Sequence, residues 1–503
     1  MSTPLLLAID QGTTNTKALV VDTNGGVRAL HTERVGISFP EPGWAESDPT
    51  EVLESVMRVV TACLDTVPVR SVVGVGITNQ RESVVAWERS SGTPLGPMVS
   101  WQCTRGTEIC ARITDPTAVE LVGRRTGLAL DPMFSASKMR WLLDHIPDGQ
   151  RRALAGEICL GTVDSWLLWN LGGGSFATDM TNASRTLLFD MESCAWHADL
   201  LQLFDIPEVA LAEIRPSSDA FASCTLTHRG LAADGALIGA LLGDSHAALV
   251  GHGALFPGAV KASFGTGTSV LAPLDRVQRS HTLSSTIGWS RRTDHGVEAM
   301  PAIEGNIYAT GAALEWVAGL LGCAHNIGHL ESLARSCSNA GGVTFVPALA
   351  GLGAPHWDPL ARGTITGLTR HAGPPQVARA AFDAVAHQVA DVVDEVQLVL
   401  GKRPVLLNAD GGAIRSELLA ATVADLVDVP LLCCDEPEIA ALGAAGFAGL
   451  QLGLWKSLDE LASLPRATHR MEPTMSESTR QSQRSAWRGA LKQTLTGRQH
   501  GSQ

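Results

Sequence analysis

Short apolar runs on either side of turns rich in glycine and threonine occur in both halves of the chain. In the first half, apolar residues at 5–9 and 18–21 flank a polar turn at 10–16. In the second half, residues 261–273 repeat this pattern around the sequence GTGT at 265–268. Apolar runs joined by a glycine-containing turn are typical of β-hairpins. The pattern therefore predicts one such hairpin in each of two related lobes.

Elsewhere, the spacing of apolar residues predicts helices and buried strands. Helical spacing follows Pro49, and a longer helix opens at Pro374 and ends at Gly401. The uncharged run at 439–455 is rich in alanine and glycine and is short for a membrane span, which favours a close-packed core helix. Runs of apolar or small residues predict strands at 72–77, 98–102, 237–243 and 405–408.

Length and composition indicate a protein of two domains with ample core. The chain has 503 residues, too many for one ordinary core, so we expect two domains of roughly 250 residues each. Hydrophobic residues make up 45% and charged residues 18%, which argues against extensive disorder. The formal net charge of -13 argues against a nucleic-acid partner, because binding that polyanion requires a clustered basic surface.

The sequence predicts a cytoplasmic protein with no membrane insertion. The N-terminus enters a predicted strand after four residues, without the basic and apolar regions of a signal peptide. The 10 cysteines include no C-x-x-C pair and no histidine spacing typical of zinc. We therefore expect reduced, mostly buried thiols.

The turn of the first hairpin carries residues suited to a polyphosphate. Gly12 lets the backbone approach a ligand closely, and the amides and hydroxyls of Thr13 and Thr14 can surround a phosphate oxygen. Asp10 would face that phosphate, and a carboxylate in that position requires a hard cation, for which Mg²⁺ is the usual solution. An ordinary surface hairpin is the alternative. The matching turn at 265–268 favours a clamp on one nucleotide.

Other polar residues follow predicted strands and suit an alcohol substrate. Arg81 and Glu82 together offer donors and acceptors for hydroxyl groups, with a surface ion pair as the alternative. Trp101 offers an aromatic face for the carbon side of a polyol, with a structural role as the alternative. Asp244 lies where a predicted strand meets a helix, so its carboxylate can accept a proton from a hydroxyl or cap the helix. Gly411, after the strand at 405–408, allows a purine or phosphate to lie against the backbone.

In this order, these segments resemble the FGGY family of carbohydrate kinases, and within it the glycerol kinase branch. The resemblance covers nearly the whole chain and implies an α/β fold with two ribonuclease H-like domains of the actin-like ATPase kind on either side of a catalytic cleft. The domains implied are 1–250 and 251–492, followed by a tail at 493–503. The motifs that carry it are DQGTT at 10–14, PGWAESDP at 42–49, NQRES at 79–83, SWQ at 100–102, FSxxKxxWLLDH at 134–145, TNASRT at 181–186, FGTGT at 264–268, GLGAPxWDPxARG at 351–363 and DGGA at 410–413.

The resemblance implies an ATP-dependent kinase of a small polyol, with glycerol the best single acceptor. Asp244 matches the catalytic base, and Asp10 matches the position near Mg²⁺. The positions matching acceptor contacts are Arg81, Glu82, Trp101, Met133, Asp244 and Ser245, and those matching ATP contacts are Thr13, Thr14, Thr266, Gly311, Gly411 and Ser416. Family members commonly form dimers or tetramers, so a homodimer or homotetramer is expected.

Several positions depart from the glycerol kinase pattern. Glycerol kinases usually have tyrosine at the position of Met133, glutamine at Ser245 and a bulky aromatic residue near Ser269, while Ser416 stands where asparagine is common. A pocket altered in this way suits a longer polyol or sugar, such as erythritol, threitol, a pentitol or a ketopentose. A nucleotide-driven interaction switch of the actin or Hsp70 kind is a more remote alternative, because it leaves Arg81 and Glu82 unexplained.

Overall fold

The computed structural model describes residues 3–225, 227–228, 231–232, 235–436 and 438–497. The first half of the chain forms one lobe of strands and helices. The strands of this half are β1 (Leu5–Gln11), β2 (Asn15–Asp22), β3 (Val27–Arg34), β4 (Glu46–Ser47), β5 (Val72–Asn79), β6 (Val84–Glu88), β7 (Met98–Val99), β8 (Ile158–Thr162), β9 (Ala177–Asp179), β10 (Phe189–Asp190), β11 (Ala195–Trp196), β12 (Glu213–Arg215), β13 (Ser218–Ser223), β14 (Thr227–His228), β15 (Leu231–Ala232) and β16 (Leu237–Gly243). Its helices are α1 (Pro49–Leu64), α2 (Thr107–Arg112), α3 (Pro116–Thr126), α4 (Ser135–His145), α5 (Gly149–Leu154), α6 (Val163–Leu171), α7 (Met180–Ala183), α8 (Ala198–Leu203) and α9 (Asp244–Gly251).

The second half forms another lobe. Its strands are β17 (Val260–Phe264), β18 (Thr268–Pro273), β19 (Ser284–Thr293), β20 (Gly296–Ile307), β21 (Thr344–Val346), β22 (Thr364–Thr366), β23 (Leu407–Asp410), β24 (Leu431–Cys434) and β25 (Thr468–Met471). Its helices are α10 (Gly311–Leu320), α11 (Ile327–Ala334), α12 (Pro374–Leu400), α13 (Glu417–Val427), α14 (Ile439–Gln451), α15 (Leu458–Ala462) and α16 (Glu477–Thr494).

The two lobes repeat one strand order within a continuous sheet of 13 strands. In the first lobe the order is β3-β2-β1-β5-β16, with β1 antiparallel to β2 and parallel to β5. In the second lobe the order is β20-β18-β17-β23-β24, with β17 antiparallel to β18 and parallel to β23. The weak internal repeat predicted from the two hairpins is therefore a repeat of the whole strand arrangement.

Both predicted hairpins are present, and their turns are shorter than the polar stretches suggested. In the first hairpin Gln11 pairs with Thr16 across the strands, so strand structure extends into the polar segment. In the second, Phe264 pairs with Thr268 around the intervening glycines. The ligand-facing backbone in each hairpin is thus confined to about three residues, held on both sides by the sheet.

The predicted helices are confirmed, with small changes at their ends. Asp48 caps α1 by accepting a hydrogen bond from the amide of Thr50, and Gly401 ends α12 in the left-handed conformation. The strand predicted at 98–102 is only Met98–Val99, because the chain turns at Trp101. The strand predicted at 405–408 begins later, at Leu407.

Helix α14 joins the lobes, and its small residues allow close packing. A methyl group added at Gly443 would lie 1.9 Å from the carbonyl oxygen of Ala247 on α9, and one added at Gly76 on β5 would lie 2.3 Å from that of Ala444. Such distances are far below van der Waals contact, so glycine is required at both positions. The alanine- and glycine-rich run is therefore the close-packed core helix predicted from the sequence.

Three remaining expectations concern the membrane, the cysteines and the tail. Among the described residues, no helix has both the length and the apolar character needed to cross a membrane. Six of the 10 cysteines are buried, in line with the expectation of mostly buried thiols. Helix α16 extends to Thr494 and Thr496 bonds to Asp358, whereas residues 498–503 of the predicted tail lie outside the described residues.

Candidate active site

A cleft of about 450 Å³ opens between the lobes, where the turns after β1 and β17 face each other. It is lined by residues from both halves, including the strand ends that carry most of the predicted site. The predicted residues that line it are Asp10, Thr13, Arg81, Glu82, Trp101, Met133, Asp244, Ser245, Thr266 and Gly411. The structure thus brings both predicted sets, for the nucleotide and for the acceptor, into one cavity.

Three predicted residues do not line the cleft. The exposed Thr14 receives a hydrogen bond from Val35 through its carbonyl oxygen. Gly311 lies beneath the second turn, where its amide donates to the carbonyl of Gly265. Ser416 caps α13 by accepting from the amide of Leu419. These residues support the backbone around the cleft.

The two glycine turns present unbonded amides toward a ligand. Amides at the N-terminus of α10 donate to the carbonyl oxygens of Gly265 and Thr266, which fixes the direction of both peptide groups. Among the described residues, no acceptor contacts the amide nitrogens of Thr13, Thr266 or Gly267. Unbonded backbone N–H groups in a tight turn form an anion-binding concavity suited to phosphate oxygens.

Gly411 follows strand β23 and packs against the end of β17, just before the second glycine turn. Its φ is +103°, and an added methyl group would lie 2.3 Å from the carbonyl oxygen of Phe264. Both the conformation and the space exclude a side chain. Strand β23 can therefore end directly against β17, which places the bare backbone of Gly411 and Gly412 on the cleft wall.

Arg81 stands at the centre of a buried charge cluster below the acceptor region. Its Nη1 donates to Oε1 and Oε2 of Glu304 at 2.8 and 2.9 Å, and its Nε donates to Oδ1 of Asp244 at 3.2 Å. Arg185 lies 3.0 Å from Glu304 on the other side. Burial opposes ionisation of Glu304, but the two guanidinium groups outweigh it and hold its pKa well below the usual range. Glu304 is therefore an ionised carboxylate that holds the guanidinium groups of Arg81 and Arg185 in place.

Glu82 reaches the cleft from a strained position. Its φ is +62°, which is uncommon for a residue other than glycine. Nε of Arg185 donates to its Oε1 at 2.7 Å, and its carbonyl receives a bond from Ser135. Its Oε2 has no hydrogen-bond donor among the described residues, so this oxygen is available to a ligand hydroxyl.

Trp101 separates the acceptor region from the first phosphate turn. Its indole Nε1 donates to the hydroxyl of Thr13 at 2.9 Å, and its amide donates to Ser83. Met133 lines the cleft nearby on a loop whose carbonyls accept bonds from the buried ammonium of Lys138. The Trp101 side chain is therefore fixed by its bond to Thr13, and the loop that carries Met133 is fixed through its backbone carbonyls.

Asp244 is the first residue of α9, with Gly243 before it as the cap, so the capping role considered from the sequence is not its own. The Ser245 amide and Arg81 both donate to its Oδ1, while its Oδ2 has no hydrogen-bond donor among the described residues. From behind, the hydroxyl of Thr181 accepts from the amide of Gly243 at 2.9 Å. Removal from bulk water raises the pKa of Asp244, which makes it a stronger base.

Ser245 and Ser269 place hydroxyl groups on the cleft wall beside Asp244. Their oxygens are 2.6 Å apart, Nζ of the buried Lys261 donates to Ser245 at 2.6 Å, and Ser269 donates to Glu304 at 2.6 Å. The hydroxyls are therefore part of the charge cluster.

Asp10 is suited to one direct or water-mediated contact with a cation. Burial raises the pKa of its carboxyl group to about 7, opposed by Lys17 and reinforced by Asp244, and no hydrogen-bond donor contacts it among the described residues. The described residues contain no group of three or more acidic, histidine or cysteine side chains that could cage a metal. This donor set fits Mg²⁺, which is usually bound through one or two carboxylates together with waters and substrate phosphates.

Sequence reasoning missed the buried charges that organise the site. Glu304, Arg185 and Lys261 are all fully buried, and the first two interlock with the predicted Arg81 and Glu82. A signal was present in β17, where Lys261 interrupts an otherwise apolar or small-residue strand, and in β20, where Glu304 directly follows the apolar run at 299–303. Buried charges occur almost only when paired, so such interruptions indicate a polar cluster.

Comparison with known proteins agrees with this geometry. Models of the N-terminal and C-terminal domains of the FGGY family of carbohydrate kinases match residues 5–251 and 260–452. An apulose kinase from Pectobacterium atrosepticum is 41% identical and a glycerol kinase from Dechloromonas aromatica is 40% identical, each over 98% of both chains. The crystal structure of Plasmodium falciparum glycerol kinase with ADP superposes with a TM-score of 0.90 at 28% identity and covers 98% of both chains. The two-domain actin-like fold expected from the sequence is confirmed, and the chain belongs to the FGGY family of carbohydrate kinases.

Proposed function

We propose that the protein transfers the γ-phosphoryl group of ATP to a terminal hydroxyl of a small polyol, with Asp244 as general base. The observation that carries the proposal is the single cleft in which Asp244, Arg81 and Glu82 face two turns with unbonded amides. Phosphoryl transfer asks the protein mainly for positioning and charge stabilisation, which this cleft supplies.

The charge cluster prepares Asp244 for proton transfer. Arg81 and the amide of Ser245 occupy its Oδ1, so Oδ2 is left to accept the proton of the attacking hydroxyl. A neighbouring hydroxyl of the acceptor would bond to the free Oε2 of Glu82 and to Nη2 of Arg81. Together these contacts hold one hydroxyl in line with the phosphate.

The nucleotide would lie along the second lobe. In this proposal the amides of Thr13, Thr266 and Gly267 bind phosphate oxygens, and Gly411 lies against the nucleotide. Mg²⁺ near Asp10 would neutralise phosphate charge when bound. We also propose domain boundaries near residue 250, with the first domain holding the acceptor and the second holding most of the nucleotide.

Glycerol is the reference acceptor, because it is a small polyol with a terminal hydroxyl for Asp244 and a neighbouring one for Arg81 and Glu82. The similarity to glycerol kinases supports it, and the equal similarity to an apulose kinase supports a sugar or longer polyol as the second candidate. A specific observation favours this second candidate, since Ser245 and Ser269 leave small side chains on the acceptor wall.

The test is coupled ADP release from purified protein with ATP and Mg²⁺, with and without each acceptor. Acceptor-dependent release is expected, and Asp244→Asn should lower kcat by about 10²- to 10⁴-fold with little change in the KM for ATP. Asp294→Asn, an exposed change outside the cleft, is the matched control. Acceptor-independent release would instead support a nucleotide-driven switch, and full turnover in Asp244→Asn would remove Asp244 as the base.

A further inference from the structure

Three polar side chains on the acceptor wall are left unused by the reaction proposed above. Ser245, Ser269 and Asn306 all line the cleft, and we refer to them as the serine–asparagine cluster. Ser269 on β18 and Asn306 on β20 are directly opposite in the antiparallel pairing, so their side chains lie on the same face of the sheet.

The direction of every hydroxyl hydrogen in this cluster follows from Glu304. Its carboxylate is held by Arg81 and can only accept, so the one hydrogen of the Ser269 hydroxyl is directed to Glu304 at 2.6 Å. Ser245 must then donate to Ser269, because Ser269 has no second hydrogen. In its remaining contact, the Ser245 hydroxyl therefore accepts a hydrogen bond from Nζ of Lys261.

The groups left for a ligand are two hydrogen-bond acceptors and one donor. Each serine hydroxyl already donates its one hydrogen and accepts one hydrogen bond, so each oxygen retains one lone pair for a ligand. Nδ2 of Asn306 is buried and has no hydrogen-bond acceptor among the described residues. An N–H group without an acceptor is costly, so a ligand oxygen that reaches Nδ2 of Asn306 would be favoured.

Only some chemical groups complement this set. A hydroxyl group can donate to a serine oxygen and accept from Asn306, so it satisfies both kinds of partner. A carbonyl or carboxylate cannot donate, and its oxygen would face the serine lone pairs. A methyl group would leave the remaining serine lone pairs and Nδ2 of Asn306 without a partner.

We infer that the serine–asparagine cluster binds an additional alcohol hydroxyl of the acceptor, beyond the hydroxyls held by Asp244, Arg81 and Glu82. The acceptor is then a polyol or sugar of at least four carbons that presents an alcohol, not a ketone or acid, to this wall. The inference rests on the proposed kinase function and narrows its acceptor.

The test compares acceptors that differ in one group. Erythritol and threitol carry a terminal CH₂OH that is a methyl group in 1,2,3-butanetriol and a carboxylate in erythronate. We expect kcat/KM for the better tetritol to exceed that for 1,2,3-butanetriol and for erythronate by at least about tenfold, because a site built around a hydroxyl rejects analogues that lack it.

Ser269→Ala and Asn306→Ala should reduce this preference for the tetritol to about twofold or less. General damage to the cleft lowers turnover of both acceptors equally and leaves the ratio unchanged, so the ratio isolates the cluster. Ser285→Ala is the matched control, since this buried serine bonds to the carbonyl of Gln278 outside the cleft.

The outcomes separate the two levels of the proposal. Acceptor-dependent turnover with a tetritol to butanetriol ratio near one, or a ratio that persists in both variants, would overturn the additional hydroxyl site while leaving the kinase function intact. Turnover of glycerol without turnover of either tetritol would also overturn it. Absence of acceptor-dependent turnover with any polyol would overturn the proposed function and this inference together.

Discussion

Nε of Arg81 donates to Oδ1 of Asp244 across 3.2 Å, while Nη1 of the same guanidinium is held by both oxygens of Glu304. The proposed base, Asp244, is therefore oriented by a cation that cannot move independently, because its other end is fixed by a buried carboxylate from the second lobe. The second oxygen of Asp244 has no donor among the described residues, so in the proposed reaction it is left for the acceptor. The pKa of Asp244 should then depend on the contact between Arg81 and Glu304, which joins the two lobes.

The pH dependence of kcat/KM should reflect the contact between Arg81 and Asp244. Burial raises the pKa of Asp244 and Arg81 opposes that rise. A general base is active when deprotonated, so kcat/KM should fall as the pH decreases through this raised pKa. In Arg81→Gln the pKa should rise further, and the acid limb should move to higher pH. The measurement is kcat/KM for the acceptor from pH 5 to 9 at saturating ATP; an unmoved acid limb would show that Arg81 does not act on the base.

Glu304→Gln should be strongly destabilising although the side chain changes little in size. The substitution leaves the buried guanidinium groups of Arg81 and Arg185 without the charge that both contact. Removing one partner from a buried ionic cluster typically costs about 3–5 kcal/mol in the free energy of unfolding. Denaturant unfolding monitored by tryptophan fluorescence gives this value.

A single exposed residue provides the control for that experiment. Glu477→Gln changes an exposed residue in the first turn of α16 and should alter the free energy of unfolding by about 0.5 kcal/mol or less. A similar small effect for Glu304→Gln would mean that the cluster does not depend on its central charge.

The local parts of the site could be predicted from the sequence. The hairpin turns and the strand-to-helix junction at Asp244 depend on residues that are adjacent in the chain, so glycine content and apolar runs indicate them directly. For Arg81 and Trp101, the residues alone left an ion pair and a structural role as alternatives, and the family resemblance favoured contacts with the acceptor. The interaction of Arg81 with Glu304, 223 positions later, depends on the pairing of distant strands and has no local signal.

Similar reasoning applies to the predicted nucleotide contacts that do not line the cleft. The structure places Gly311 under the turn that faces the cleft, and a sequence pattern does not show which side of a turn a neighbouring glycine approaches. Likewise, a serine at 416 reads equally well as a ligand contact or as a helix cap, and in the structure its hydroxyl is used for capping. The placement of Gly311 and Ser416 can be predicted only when the packing of the neighbouring helix against the turn or strand is known.

His387 should make the stability of the second lobe depend on pH. Its ring is buried and stacked on Trp487, and burial lowers its pKa to about 3, with Arg484 acting in the same direction. In the unfolded chain the His387 ring therefore binds a proton as the pH falls through about 6.5, whereas in the folded chain it stays neutral until about pH 3. The free energy of unfolding should fall as the pH decreases from about 6.5 toward 3.

Replacing this ring tests the assignment. His387→Phe should flatten the pH dependence over that range, measured by urea unfolding at several pH values, whereas the exposed His281→Phe should retain it. An identical slope in the wild type and in His387→Phe would assign the pH dependence to other groups.

Gly411→Ala should impair nucleotide binding through the backbone. At φ +103° an alanine is strained, and its methyl group would lie 2.3 Å from the carbonyl oxygen and 2.8 Å from the amide nitrogen of Phe264. The turn that follows Phe264 must shift to relieve this contact, which displaces the amides proposed to bind phosphate. We expect the KM for ATP to rise at least about tenfold, with a loss of about 1–3 kcal/mol in the free energy of unfolding. Gly489→Ala in α16 is the control, because its added methyl group meets nothing within 4 Å and should slightly stabilise the helix. An unchanged KM for ATP in Gly411→Ala, measured in the ADP-release assay, would show that the nucleotide does not depend on this contact between β23 and β17.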